Sequence, residues 1–358
     1  MSRSILVTEH LRIGYANRRG EARVVADQLN LTLNEGDVVC LLGPNGIGKS
    51  TLLRTLIGMQ APLAGRVLLD GIDIATLKPR DIARRVSVVL TERIEVGQLS
   101  VYHLVALGRY PYTNWIGKLT PHDEEVIQRA LSAVQAEQLA GRFVHELSDG
   151  ERQRVMVARA LAQEPHVMVL DEPMAFLDLP RRIEMMRLLR RLAHEMRQAV
   201  ILSIHDLDLA IRTADLLWLM TPDGKIQAGA PEDLVLSGAF EKAFAGNNLV
   251  FDRFHGQFRL HEPPSRHAVL LGDGLIYKWT MHALERAGYQ CNQADDTAAL
   301  HITIHGNEQN PLWLMQLNRQ TVKNFHSLRD LVTFLRGMPY PYQSQETSDD
   351  DHEPIFHR

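Results

Sequence analysis

The stretch Val38-Val39-Cys40-Leu41-Leu42-Gly43-Pro44-Asn45-Gly46-Ile47-Gly48-Lys49-Ser50-Thr51 fits the phosphate-binding loop pattern G-x-x-x-x-G-K-[ST] with every fixed position filled. An apolar, β-branched run precedes it, and Leu52, Leu53, Leu56 and Ile57 follow at helical spacing, so the loop falls between a strand and a helix. Such a loop needs its glycines because backbone N–H groups must close around phosphate oxygens at a helix N-terminus. Lys49 adds a charge for the β and γ oxygens, and the Ser50 hydroxyl is a donor for Mg²⁺. A bound nucleoside triphosphate is therefore expected, held by Gly43, Pro44, Asn45, Gly46, Gly48, Lys49, Ser50 and Thr51.

Downstream, Val167-Met168-Val169-Leu170-Asp171-Glu172-Pro173 reads as an apolar strand ending in two carboxylates. Strand alternation aims the two acids differently. Asp171 is expected to hold Mg²⁺, directly or through water, and Glu172 to polarise the attacking water. Leu147-Ser148-Asp149-Gly150-Glu151-Arg152-Gln153-Arg154 precedes an apolar helical pattern. On its own it reads as a Ser N-cap with acids in the first turn. Taken singly, His205 and Tyr15 read as a satisfied core histidine and a strand tyrosine rather than as site residues.

Bulk properties narrow the class. The 358 residues are 45% hydrophobic and 23% charged, with a net charge of -4, a pI of about 6.5 and a mean hydropathy of -0.16. These values leave no basic footprint for nucleic acid. The longest apolar runs, such as Leu216 to Met220, fall short of the ~20 residues needed to span a bilayer, so any membrane role is expected to run through a partner. The first ten residues contain no signal-peptide core, and two cysteines, Cys40 and Cys291, suit a reduced cytosolic chain.

Taken together, the phosphate loop, the Leu-Ser-x-Gly-Glu segment, Leu-Asp-Glu-Pro, Leu177-Asp178 and His205-Asp206 resemble, in order and spacing, the ATP-binding-cassette ATPases. The resemblance implies an α/β fold: a P-loop cassette over residues 1–255 with a helical insert at about 98–165. It also implies ATP and Mg²⁺ as ligands and a homodimer in which each nucleotide lies between one chain's phosphate loop and the other's signature. Ser148 and Gly150 would then contact the γ-phosphate across that interface, with Glu172, His205 and Lys49 catalytic and His205 acting as the switch on the same phosphate. Asp178 would couple the two sites, and Tyr15 would stack on adenine. Two departures stand out. The first signature glycine is replaced by Asp149, which can still adopt a positive φ at modest cost, so binding is expected to survive. Where the family has Pro-Gln after the strand Val86 to Leu90, this chain has Thr91-Glu92, with Thr91, or Glu92 in its stead, expected to serve Mg²⁺ or water.

Ser100 to Tyr112, containing Leu107-Gly108-Arg109-Tyr110-Pro111, resembles the helical insert of importers for ferric siderophores, haem and cobalamin. An energy-coupling ATPase is expected, working with an integral membrane permease and, through it, a substrate-binding protein. It would sit peripherally on the cytoplasmic face of the inner membrane and bind no nucleic acid. The alternatives are a soluble cassette ATPase in DNA, ribosome or iron–sulfur assembly work, and an ATP sensor that does not turn over.

Beyond residue 265 the pattern changes to strand, helix, strand, strand, helix over 266–340. This suits a small α+β domain, regulatory or dimer-stabilising, followed by an acidic tail at 341–358 expected to be disordered. Leu271-Gly272-Asp273-Gly274 is either an anion-binding turn or a plain one. His301 and His305 have zinc-like spacing, but on a strand four residues of about 3.3 Å each place the rings too far apart for one metal.

Overall fold

The computed structural model describes residues 3–16, 22–90, 97–244, 249–260, 266–292, 299–318 and 320–338. Thr91, Glu92 and the tail at 341–358 lie outside the described residues. The polypeptide forms two compact units, Met1–Leu260 and His261–Arg358.

The first unit begins with strands β1 (Ser4–Ala16), β2 (Ala22–Leu29), β3 (Thr32–Asn34) and β4 (Val38–Leu42), then helix α1 (Lys49–Leu56). Next come β5 (Ala64–Leu69), β6 (Ile72–Asp73), α2 (Pro79–Ala83) and β7 (Val86–Val89). A helical stretch follows, with α3 (Val101–Ala106), α4 (Pro121–Ala133) and α5 (Asp149–Leu161). The chain then returns through β8 (Val167–Leu170), α6 (Leu179–Met196), β9 (Ala199–Ser203), α7 (Leu207–Thr213), β10 (Leu216–Met220) and β11 (Ile226–Gly229). Helices α8 (Pro231–Leu236) and α9 (Ala239–Ala243) and the hairpin β12 (Leu249–Asp252) and β13 (Gln257–Leu260) complete it.

The central sheet has the order β11-β10-β4-β9-β8-β7. All its pairings are parallel except that of β10 with β11. Such a sheet is covered on both faces, which explains why Val38 to Leu42 is an unbroken apolar run. Alternation then divides each strand between two cores. Val38, Cys40 and Leu42 pack with Met168, Leu170, Val200 and Leu202 on the face carrying α3 to α6. Val39 and Leu41 pack with Val167, Val169, Ile201 and Trp218 on the face shared with α1 and the antiparallel sheet β2-β1-β5-β6. Burial pushes the Cys40 thiol pKa up, which leaves it as a small apolar packing group at neutral pH.

The second unit is a five-stranded sheet, β15-β14-β16-β17-β18, with two helices. Its strands are β14 (Arg266–Leu271), β15 (Tyr289–Asn292), β16 (Leu300–Gly306), β17 (Pro311–Leu317) and β18 (Gln320–Phe325), and its helices α10 (Gly274–Glu285) and α11 (Leu328–Gly337). Strands β15 and β18 are absent from the sequence-based expectation, because Tyr-Gln-Cys-Asn and Gln-Thr-Val-Lys-Asn-Phe are too short and polar to stand out. They form as the two edges of a sheet whose middle strands supply the apolar surface, with Ala268, Leu270, Ile302, Trp313 and Met315 in one core. His301 and His305 both lie on β16. The Gly272 to Gly274 turn links β14 to α10 with positive φ at both glycines (145° and 71°).

Candidate nucleotide site

The site forms where the parallel strands end, because there the loops after neighbouring strands converge. Strand β4 leads into the phosphate loop, its neighbour β9 leads into His205, and β8, on the far side of β9, leads into the Asp171-Glu172 pair. Gly48 caps α1 in the left-handed region (φ 113°), and a Cβ there would collide with the Val25 side chain. Gly43 (φ 151°) approaches Met220 at the end of β10. Lys49 is buried and turns back along the loop, donating to the carbonyl oxygens of Gly43 (2.8 Å) and Pro44 (3.2 Å). Burial lowers its pKa, and the charges of Glu172 and Asp171 oppose that shift, which places both carboxylates within the electrostatic reach of the loop. Asn45 and Gly46 are exposed at the loop's crest, Pro44 and Ser50 are half-buried, and Thr51 is buried. The Tyr15 and Thr51 hydroxyls are 2.7 Å apart, and half of the Tyr15 surface stays exposed beside the loop.

Ser203, at the end of β9, organises the two acids. Its hydroxyl donates to Asp171 Oδ1 (2.6 Å) and accepts from the Glu172 N–H (2.8 Å). Glu172 has φ 49°, a left-handed conformation that costs roughly 1–3 kcal/mol for a non-glycine residue. The strained turn aims its carboxylate at His205, with Nε2 2.7 Å from Oε1. A cavity of about 290 Å³ opens here, lined by Glu172, Met174, Arg182, Ser203, His205 and Asp206. Sequence reasoning missed Ser203; the available signal is a lone hydroxyl within the apolar run Val200 to Ile204, next to the strand bearing the acids.

Ser148 and Gly150 are held elsewhere. Ser148 caps α5 in a reciprocal box, accepting from the Glu151 N–H while Glu151 Oε2 accepts from Ser148 N (2.9 Å) and Oγ (2.7 Å). Those Ser148 hydrogen bonds hold the Glu151 carboxyl below its ordinary range. A Cβ at Gly150 would collide with the Arg181 guanidinium in the first turn of α6, whose N-cap is Asp178. Asp178 accepts from Arg181 N at 3.1 Å. None of the contacts described for Ser148 or Gly150 reaches the chain's own phosphate loop. Asp149 opens α5 in helical geometry and is not among the positive-φ residues, so the left-handed backbone open to it is not used. An N1 position accepts Asp readily, because the carboxylate faces the positive end of the helix dipole.

A parallel sheet with a phosphate loop after one strand and paired carboxylates two strands away defines a P-loop nucleoside triphosphatase. Comparison with known proteins narrows the class. The ABC transporter family profile matches residues 26–175, and the profile of the iron ABC transporter C-terminal domain matches residues 265–336. The chain is 41% identical over 273 residues to the uncharacterized ABC transporter ATP-binding protein MJ0873 of Methanocaldococcus jannaschii, covering 75% of this chain and 92% of that protein. It is 36% identical over 245 residues to the ferric enterobactin transport ATP-binding protein FepC of Escherichia coli, covering 68% and 88%. Among solved structures, cbiO1 of Clostridium perfringens, part of the ABC transporter complex cbiONQ, superposes with a TM-score of 0.58 at 29% identity, over 66% of this chain and 93% of that one. The chain belongs to the ATP-binding-cassette transporter ATPases, and its cassette binds ATP. Among the described residues no helix is long and apolar enough to cross a membrane.

Proposed function

We propose that the chain is the ATP-hydrolysing, energy-coupling subunit of an importer for iron complexes, siderophore or haem, or for cobalamin. The observation that carries hydrolysis is the Glu172–His205 pair, held by a strained turn beside the lysine of the phosphate loop. In this reading Glu172 polarises the attacking water, and His205 holds that carboxylate and follows the γ-phosphate. Lys49 exchanges loop carbonyls for phosphate oxygens, with Gly43, Pro44, Asn45, Gly46, Gly48 and Thr51 completing the cradle, and Tyr15 stacks on the adenine. The Ser50 hydroxyl and the Ser203-oriented Asp171 carboxylate are hard oxygen donors that suit Mg²⁺, which would neutralise charge between the β and γ phosphates.

Two copies of the chain are the second part of the proposal. Ser148 and Gly150 are positioned by α5 and α6, and their described contacts are with those helices, which suits a signature serving a partner's nucleotide. The exposed Leu179, next to Asp178, gives that face apolar surface. A permease partner is supported by the helical stretch, where Leu107, Tyr110, Trp115 and Ile116 are exposed, Trp115 to 94%. Iron cargo is supported by the C-terminal match and by the relative named for ferric enterobactin transport. Through such a permease the chain would act at the cytoplasmic face of the inner membrane alongside a substrate-binding protein. Affinity purification from detergent-solubilised membranes, with ATPase assay of the complex, tests the proposal. A co-purifying polytopic permease is the expected result, and exclusively soluble partners would overturn it.

A further inference from the structure

Outside the phosphate loop and its carboxylates, a cluster of arginines lies between the end of α4, the start of α5 and the outer face of α6. A cavity of about 410 Å³ there is lined by Gly150, Arg154, Arg181, Glu184, Arg187 and Arg191, with Val134 and Leu188 among its apolar walls. Four arginines and one carboxylate residue thus line the cavity, in a chain whose net charge is negative, and the Glu151 carboxylate on the same helix as Arg154 feels the Arg154 charge. Among the described residues none of the four arginines is ion-paired. Arg191 Nη2 donates to the Ala133 carbonyl at 2.7 Å, which fixes its guanidinium at the rim. The Arg154 Nε is buried without a hydrogen-bond partner. Arg187 and Arg191 are four residues apart on one helix, a spacing that sets two like charges on the same side of it.

Guanidinium groups are weakly hydrated planar forks that take phosphate or carboxylate oxygens two at a time. We infer that this pocket is a binding site for a small polyanion, a molecule carrying two or more phosphate or carboxylate groups, separate from the chain's own phosphate loop and adjoining, at Gly150, the signature that the proposed dimer gives to a partner's nucleotide. Arg187 and Arg191 supply the outer contacts, Arg181 and Arg154 the inner ones. Because Arg181 abuts Gly150 and Arg154 lies on α5, an occupant draws together the signature turn and α6. The site therefore bears on the signature without touching the phosphate loop.

The test is calorimetric titration of the full-length chain with inorganic tripolyphosphate and, separately, citrate, in a Lys49→Ala background that weakens competing binding in the phosphate loop. The expected result is one saturable event, which weakens about tenfold or more when Arg187→Glu and Arg191→Glu are added. Both positions face solvent on α6, so circular dichroism and unfolding midpoint should stay those of the parent. Tighter binding of tripolyphosphate assigns an oligophosphate ligand, and tighter citrate assigns a polycarboxylate. Absence of binding, or unchanged affinity in the charge-reversed chain, would overturn the site. Neither outcome depends on hydrolysis or on transport, so failure here is separable from failure of the importer reading.

Discussion

At the carboxyl edge of the central sheet, Lys49 spends its hydrogen bonds on loop carbonyls, Glu172 holds a left-handed backbone, and His205 meets a carboxylate beside an open cavity. Within the helical stretch, Arg109 is 1% exposed and its guanidinium is paired with Asp123 Oδ1, Glu164 Oε2 and the Ala162 carbonyl, each at 2.8 Å, with the Tyr112 ring 4.0 Å from its guanidinium carbon. Both regions gather charge. The Arg109 cluster satisfies its charge internally, so it braces α4 against the segment after α5. In the first, the lysine's carbonyl partners are replaceable by phosphate oxygens and strain is retained at one residue, the arrangement suited to binding and turnover.

The contrast can be broken by experiment. Glu172→Gln should lower the ATP turnover rate by about 10²- to 10⁴-fold while the protein still binds ATP and traps a two-chain state, as loss of a general base requires. Undiminished turnover would remove Glu172 from that role. Arg109→Met should instead cost about 3–5 kcal/mol of stability by stranding Asp123, read as a lowered urea midpoint. If it left stability intact and abolished turnover, the two clusters would not be separable into structural and functional. Lys49→Ala should weaken ATP binding by about tenfold or more, since a charge-assisted contact is worth about 1.5–3 kcal/mol, and unchanged affinity in equilibrium titration would contradict the phosphate-loop assignment. Tyr15→Phe should be the mildest, costing about 0.5–1.5 kcal/mol through one hydroxyl contact to Thr51 while the ring is kept.

Acid sharpens the same comparison. Burial acts to raise the Asp123 pKa, but hydrogen bonds from the Thr120 hydroxyl and backbone and from Arg109 outweigh it and hold the group at about 2. A carboxylate depressed in the folded state stabilises above its ordinary pKa and loses that contribution as pH falls through the folded value. The helical stretch should therefore weaken between about pH 4 and about pH 2, and Asp123→Asn should flatten that part of the profile of urea midpoint against pH.

Much of the chemistry is encoded in contiguous segments, and those were legible. A phosphate loop needs its glycines, lysine and hydroxyl within nine residues, and an apolar strand ending in Asp171-Glu172 announces itself by pattern. The helix carrying Ser148 was equally plain, because a capping box is local. The edge strands β15 and β18 were not, since their side chains carry little apolar signal and pairing alone defines them.

The residues by themselves thus determined the class: a P-loop cassette with a signature turn, and a separate α+β segment after it. Only the tertiary structure decided that Ser203 aligns both acids from another strand, that His205 pairs with Glu172, and that Arg109 is a sealed brace. It alone placed four arginines around one cavity and put Asp149 in a helix rather than a strained turn. The physical reason is range. Propensity and periodicity act over a few residues, whereas Glu172 and Ser203, 31 residues apart, meet only because β8 and β9 run parallel in one sheet.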